Sequence, residues 1–263
     1  MDALPVSEVH EWALEKHERL RRYIDAAHGA RGKFSSRCYV DLYSGPGRAL
    51  VVETGQEIDG SPLVAFDAAA RQGDQFTEFL IADINEDYVR AAERRLTEKG
   101  AKVRAFVGPA HRVVEGIAAA LDPRGLHLAF LDPYNLGDLP FSVIRRLASF
   151  KHMDLLIHVS SMDLKRELHH YLQPEGRKAL DEFAPGWREH VDTKQRQDLI
   201  RRQIYEHWCG LLKGLGTSAS DRVEAVDNSK HANLYWLVFV ARHRLAHKLW
   251  EAVANVSPQR RLI

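Results

Sequence analysis

The chain of 263 residues has only two cysteines, Cys38 and Cys209, and no run approaching the roughly 18 consecutive apolar residues of a membrane-spanning helix. Two isolated thiols make no metal-ligand cluster, and spacing alone implies no disulfide between them, so both are expected to be reduced. The amino-terminal stretch carries Asp2, Glu8, Glu11 and Glu15 and lacks the apolar segment of a secretion signal. A soluble, cytoplasmic protein is therefore expected. An excess of charge is missing as well: 37 Lys+Arg stand against 36 Asp+Glu. That balance leaves no overall polybasic footprint, and any contact with nucleic acid must come from a local patch. What is present is a 45% hydrophobic composition, enough for the packed core of one large domain and too much for a disordered chain.

The most informative stretch is 39–47, Tyr-Val-Asp-Leu-Tyr-Ser-Gly-Pro-Gly. A β-forming run ends at the acidic Asp41 and breaks into a loop holding Tyr43, Gly45, Pro46 and Gly47. Glycine lacks a Cβ and tolerates positive φ, so a ligand can approach bare backbone there. Ahead of it, Trp12, Lys16, Leu20 and Tyr23 recur at helical spacing. A helix is expected over about 7–28 with Ser7 as its N-cap. Lys16 shares the apolar stripe and stands either as a snorkelling edge lysine or aimed at the cleft of Asp41.

After the loop, residues 48–60 read as polar and irregular, and Ser61 reads as the cap of a helix that has Pro62 at its first position. This insertion between loop and helix, with no Gly-Lys-Ser/Thr following, argues against a P-loop. Strands are then expected at 78–82, 103–107, 126–131 and 154–159, alternating with helices over about 86–99, up to 121 and over 141–150. The first of these strands ends at Asp83, next to Ile84. Asp83 has two uses open to it: a carboxylate on ribose hydroxyls, or the negative charge at the start of the next helix. The second ends at Gly108-Pro109-Ala110-His111 and the third at Asp132-Pro133-Tyr134-Asn135. Asp132 can accept from an amino group and Tyr134 can stack on a planar base, although Asp-Pro also simply initiates turns. Three acids, Asp41, Asp83 and Asp132, would then line the carboxyl edge of one parallel sheet, where ligands bind in open α/β folds.

From about 162 to 215 the alternation stops, and a polar helical insertion is expected as a cap at the sheet edge. Its basic residues are Lys165, Arg166, His169 and His170, then Lys194, Arg196, Arg201 and Arg202. They read first as a solvated helix face and second as a partner surface. Strands at 222–226 and 233–241 with no helix between them predict an antiparallel pair, and a helix over 243–253 closes the chain.

Asp41-Leu42-Tyr43-Ser44-Gly45-Pro46-Gly47, Gly60-Ser61-Pro62, Phe130-Leu131-Asp132-Pro133-Tyr134 and Asn233-Leu234-Tyr235-Trp236-Leu237-Val238-Phe239 resemble the three-Cys-motif partner (TcmP) family, over about 12–250. The resemblance implies an α/β fold with a Rossmann-like class I methyltransferase sheet, mostly parallel with an antiparallel terminal strand. It further implies S-adenosyl-L-methionine as cofactor and a three-Cys-motif, radical SAM-like protein as partner. On that basis Asp41, Tyr43, Gly45, Pro46 and Gly47 fall around the methionine part of the cofactor. Asp83 and Ile84 fall at the ribose, and Pro109 and Ala110 near the adenine. Asp132-Pro133-Tyr134 resembles the Asp/Asn-Pro-Pro-aromatic motif of amino-methyltransferases with one proline fewer, which makes Asp132 and Tyr134 the catalytic pair. The expected function is methyl transfer to nucleic acid or a nucleotide. The alternatives are a non-methylating nucleotide-binding partner subunit and a hydrolytic enzyme with Asp132 as base.

Overall fold

A computed structural model of the chain describes residues 2–174, 177–219, 224–227 and 233–254. Strands β2 (Cys38–Asp41), β5 (Glu78–Asp83), β6 (Val103–Val107), β7 (His127–Leu131) and β8 (Met153–Val159) run parallel in the order β6-β5-β2-β7-β8. The order then continues to β11 (Asn233–Ala241), antiparallel to β8, and to β10 (Glu224–Asp227), antiparallel to β11; the short β9 (Ser218–Ala219) also pairs with β11. The expected terminal antiparallel pair is thus present, although residues 222–223 of its first strand lie outside the described residues. The chain runs outward from β2 through β5 to β6 and then returns to β7. That reversal leaves a crevice at the carboxyl ends of β2 and β7.

Side chains alternate along each strand, as a sheet buried on both faces requires. Val40, Leu80, Ala129, Leu131, Ile157 and Val159 face one core, built with α5 (Ala110–Ala120), α6 (Phe141–Ala148), α7 (Ser161–Leu172), α8 (Arg177–Phe183) and α9 (Gln197–Gly214). Tyr39, Phe79, Ile81, Leu128, Phe130 and Leu156 face the other, built with α1 (Trp12–Ala26), α3 (Ser61–Arg71), α4 (Glu86–Glu98) and α10 (Arg244–Ala254). A one-turn helix, α2 (His28–Arg31), follows α1. The parity carries over to the strand ends. Asp41, Asp83, Asp132 and His158 all fall in step with the residues that face α1.

Three local expectations are corrected. Ser7 does not cap α1: it lies in a short strand, β1 (Ser7–Val9), and Glu11 precedes the helix. The stretch after Gly47 is not irregular. It forms the hairpin β3 (Arg48–Val51) and β4 (Glu57–Asp59), and β1 joins β3 in parallel to make a separate three-stranded sheet. Charged residues on the outward face of that hairpin hid the strand pattern. The cap of α3 is Gly60, not Ser61, because the Ser61 hydroxyl is committed to Asp41.

Both cysteines are free thiols. Among the described residues no helix is long and apolar enough to cross a membrane, and no group of three or more His, Cys, Asp or Glu side chains is placed to hold a metal ion.

Candidate functional site

The three strand-end acids meet the same crevice in different states. Asp41 is fully buried. Its Oδ2 accepts from the Tyr39 hydroxyl at 3.0 Å and the Ser61 hydroxyl at 2.6 Å, and its Oδ1 accepts from the Tyr43 amide at 3.1 Å. All three donors are neutral. Burial therefore dominates and pushes the carboxyl up to about 7, against the opposing pull of these hydrogen bonds.

Asp132 is half-buried and reaches charge. Lys16 Nζ lies 2.5 Å from its Oδ2 and His158 Nδ1 lies 2.5 Å from its Oδ1. Burial by itself would raise this carboxyl, but the Lys16 ammonium and the His158 ring outweigh burial and hold it well below the usual carboxylate range. Burial lowers His158 below the usual imidazole range despite Asp132. The His158 ring thus stands with Nδ1 against the ionised carboxylate. Asp132 Oδ2 receives the Lys16 ammonium, and the carboxylate keeps lone pairs for a further donor. Behind Lys16, burial and the neighbouring ammonium push His17 down to about 4.

The loop after β2 is pinned from below. Arg95 of α4 is buried and donates to the Pro46 carbonyl at 2.6 Å, the Pro5 carbonyl at 2.8 Å and the Asp2 carboxylate at 2.6 Å. Gly47 has φ +84°, and a Cβ there would lie 3.4 Å from the Ala92 backbone, so this glycine serves the packing of loop on helix. Gly45 is half-buried with φ +53°, and a Cβ there would make an ordinary contact with the Ser7 hydroxyl, 3.9 Å away. Its amide donates to Asp83 Oδ2 at 3.0 Å, and the Asn85 amide donates to Asp83 Oδ1 at 2.9 Å. Beside Asp83, Ile84 and Val107 are exposed at adjoining strand ends, an apolar ledge next to a carboxylate.

The remaining expected site residues are placed unevenly. Tyr134 is 93% exposed at the crevice mouth, in the loop after β7. That loop is held by the Leu136 amide donating to Asp163 at 3.0 Å and by the Tyr43 hydroxyl donating to the Asp138 carbonyl at 2.6 Å. Pro109 caps α5, and the Ala110 methyl is buried in the core, so only the backbone of Ala110 remains at the edge. Of the two readings of Lys16, the one aimed at the cleft holds, with Asp132 and not Asp41 as its partner. His158 was missed. The signal for it was its place two residues beyond Leu156, which sets it on the face of Asp132 at the next strand end.

A depression of about 630 Å³ lined by Leu121, Pro123, Arg146, Ser149 and Lys151 lies at the opposite, amino-terminal edge of the sheet, away from these groups.

The arrangement fits an adenosyl cofactor in its donor chemistry. There is a half-buried glycine at positive φ, a carboxylate with spare lone pairs for hydroxyls, and an apolar ledge beside it.

No protein-family model matches the chain, and no curated protein matches it. Solved structures do match. Protein LPL1258 from Legionella pneumophila is 12% identical with a TM-score of 0.50, covering 93% of this chain and 91% of its own. Cofactor-bound Rv0187 from MTB is 13% identical with a TM-score of 0.49, over 92% and 85% of the two chains. The plantazolicin methyltransferase BpumL in complex with SAH is 8% identical with a TM-score of 0.47, over 87% and 84%. At such identities the likeness is one of fold: a Rossmann-like α/β sheet, mostly parallel with an antiparallel terminal strand.

Proposed function

We propose that the protein is an S-adenosyl-L-methionine-dependent methyltransferase acting on an amino group of nucleic acid or a nucleotide. The reading includes membership of the three-Cys-motif partner family and work alongside a radical SAM-like partner. The observation that carries it is the cluster Lys16–Asp132–His158, set at the crevice next to the Gly45 backbone and Asp83. When bound, the cofactor supplies an electrophilic methyl group on a sulfonium. The chain's own part is alignment. Asp132, held ionised, accepts an N–H of the acceptor amine and directs its lone pair. Lys16 fixes the carboxylate by donating to one oxygen, and His158 stands against the other. Tyr134 stacks on the ring that bears the amine. Asp83 accepts from ribose hydroxyls, and the half-buried Gly45 backbone meets the methionine end.

A carboxyl held this far toward its ionised form is a weak base, which speaks against hydrolysis with Asp132 as base. One observation favours the non-methylating reading: the Lys16 ammonium already stands where an acceptor amine would approach Asp132.

Calorimetric titration with S-adenosylmethionine tests the proposal. Wild type is expected to bind and Asp83→Ala to bind at least tenfold more weakly, the loss of about 1.4 kcal/mol that two hydroxyl contacts to a carboxylate readily supply. No heat with wild type sinks the cofactor, and unchanged affinity in the variant sinks the ribose role. Binding with no methyl transfer to RNA, DNA or nucleotides leaves the non-methylating reading ahead. Co-purification with a co-expressed three-Cys-motif protein tests the partner.

A further inference from the structure

Exposed arginines of this protein are mostly tied to a nearby carboxylate: Arg90 to Glu86, Arg94 to Glu98, Arg188 to Asp181, Arg196 to Asp198 and Arg202 to Glu206. A stripe of α7 differs, as do the exposed Arg112 of α5 and Arg145 of α6 among the described residues. Lys165, Arg166 and His169 follow Met162 at i+3, i+4 and i+7, which places them on one side of the helix. All three are exposed, and none forms an ion pair among the described residues. The exposed carboxylate of α7, Glu167, lies one and two places from Arg166 and Lys165, a spacing at which helical side chains point apart.

The stripe is joined to the candidate site. Helix α7 starts directly after β8, the strand that carries His158, and Ser160 caps it by accepting from the Asp163 amide. The Asp163 carboxylate in turn accepts from Leu136, two residues past Tyr134, and from the Tyr171 hydroxyl. The exposed ring of Tyr134 and the cations of α7 therefore belong to one tied unit. From Met162 to His169 the stripe runs roughly 10 Å at the α-helical rise, enough for more than one backbone phosphate. At the start of α4, Asp87 is exposed and Glu86 is paired with Arg90. A polyanion entering the crevice is drawn toward the cations of α7.

We propose that this stripe is the track for the backbone of a single-stranded polynucleotide whose adjacent base stacks on Tyr134 and offers its amino group to Asp132. The inference rests on the acceptor reading of Asp132 and Tyr134 and narrows it: the substrate is a polynucleotide, not a free nucleotide. The strand is single because Asp132 is recessed, with only 20% of its side chain exposed, and a base reaches it only out of its stack.

The test is fluorescence anisotropy of a labelled mixed-sequence single strand, as RNA and as DNA, with wild type, K165E/R166E and R202E. K165E/R166E is expected to bind at least about tenfold more weakly at moderate salt, with a log–log salt slope shallower by about 1.4 for two lost phosphate contacts. R202E reverses a paired arginine elsewhere and is expected to match wild type. Circular dichroism confirms that each variant is folded. Equal binding by K165E/R166E and wild type overturns the inference, as does equal weakening by R202E, preference for duplex, or equal competition by polyglutamate. A strand bound through the stripe by a protein that takes up no S-adenosylmethionine supports the track and sinks the cofactor reading. Uptake of the cofactor with no strand bound sinks the track alone.

Discussion

Asp41 and Asp132 end neighbouring parallel strands and point to the same face of the sheet, yet they sit in opposite electrostatic states. Asp41 is wrapped by neutral donors, so burial wins and its carboxyl holds a proton up to about 7. Asp132 is more open and faces Lys16 and His158, so charge wins and it stays ionised. The difference follows from what reaches each strand end: a serine from α3 in one case, a lysine from α1 in the other. Asp41 is a pin under the glycine loop; Asp132 is the group with charge and spare lone pairs to offer a substrate.

The comparison breaks most visibly in pH dependence. The folded state keeps the Asp41 proton above the ordinary carboxylate value of 3.8, where the unfolded chain has lost it. Its contribution therefore falls as pH rises from about 4 to about 7, by up to roughly 4 kcal/mol. Asp132 works the other way: its contribution is present above the ordinary carboxylate value and is lost as pH falls through and below it. Denaturant unfolding across this range is expected to show the slope in wild type and its loss in Asp41→Asn. An unchanged slope would mean that Asp41 is ionised like Asp132.

Lys16→Met is expected to destabilise by about 3 kcal/mol, since it leaves a recessed carboxylate facing a neutral imidazole. In the same urea titration Lys16→Met/Asp132→Asn should cost less than the sum of the single changes, because the charge is removed along with its partner. Additivity would deny the pair. Ser61→Ala, which removes one of the three donors to Asp41, should cost about 1–2 kcal/mol, with the larger loss above pH 7 where the acceptor is charged. Tyr134→Ala is expected to stay within about 0.5 kcal/mol of wild type, because an exposed ring has little to lose. A large loss there would mark Tyr134 as structural and remove its stacking role.

Much of the fold was legible before the structure. Strands such as Met153–Val159 and the acids that close Glu78–Asp83 and His127–Leu131 were visible because buried parallel strands are apolar runs bounded by turn residues. The hairpin of Arg48–Val51 and Glu57–Asp59 was not, because it lies on the surface and Arg48, Glu57 and Asp59 interrupt its alternation. Ser61 showed as a cap because its position at the start of a helix fits one; its actual partner lies 20 residues away.

The sequence by itself determined the layered α/β order, the glycine loop and the acids at three strand ends, since these follow from local periodicity and from the few residue types that turns accept. Only the tertiary structure decided which acid carries charge. Lys16 and Asp132 are 116 residues apart in the chain, and no local pattern encodes their approach. A carboxylate's state is set by what is packed against it, by burial and by neighbouring charge, and both are products of the assembled sheet and its first helix.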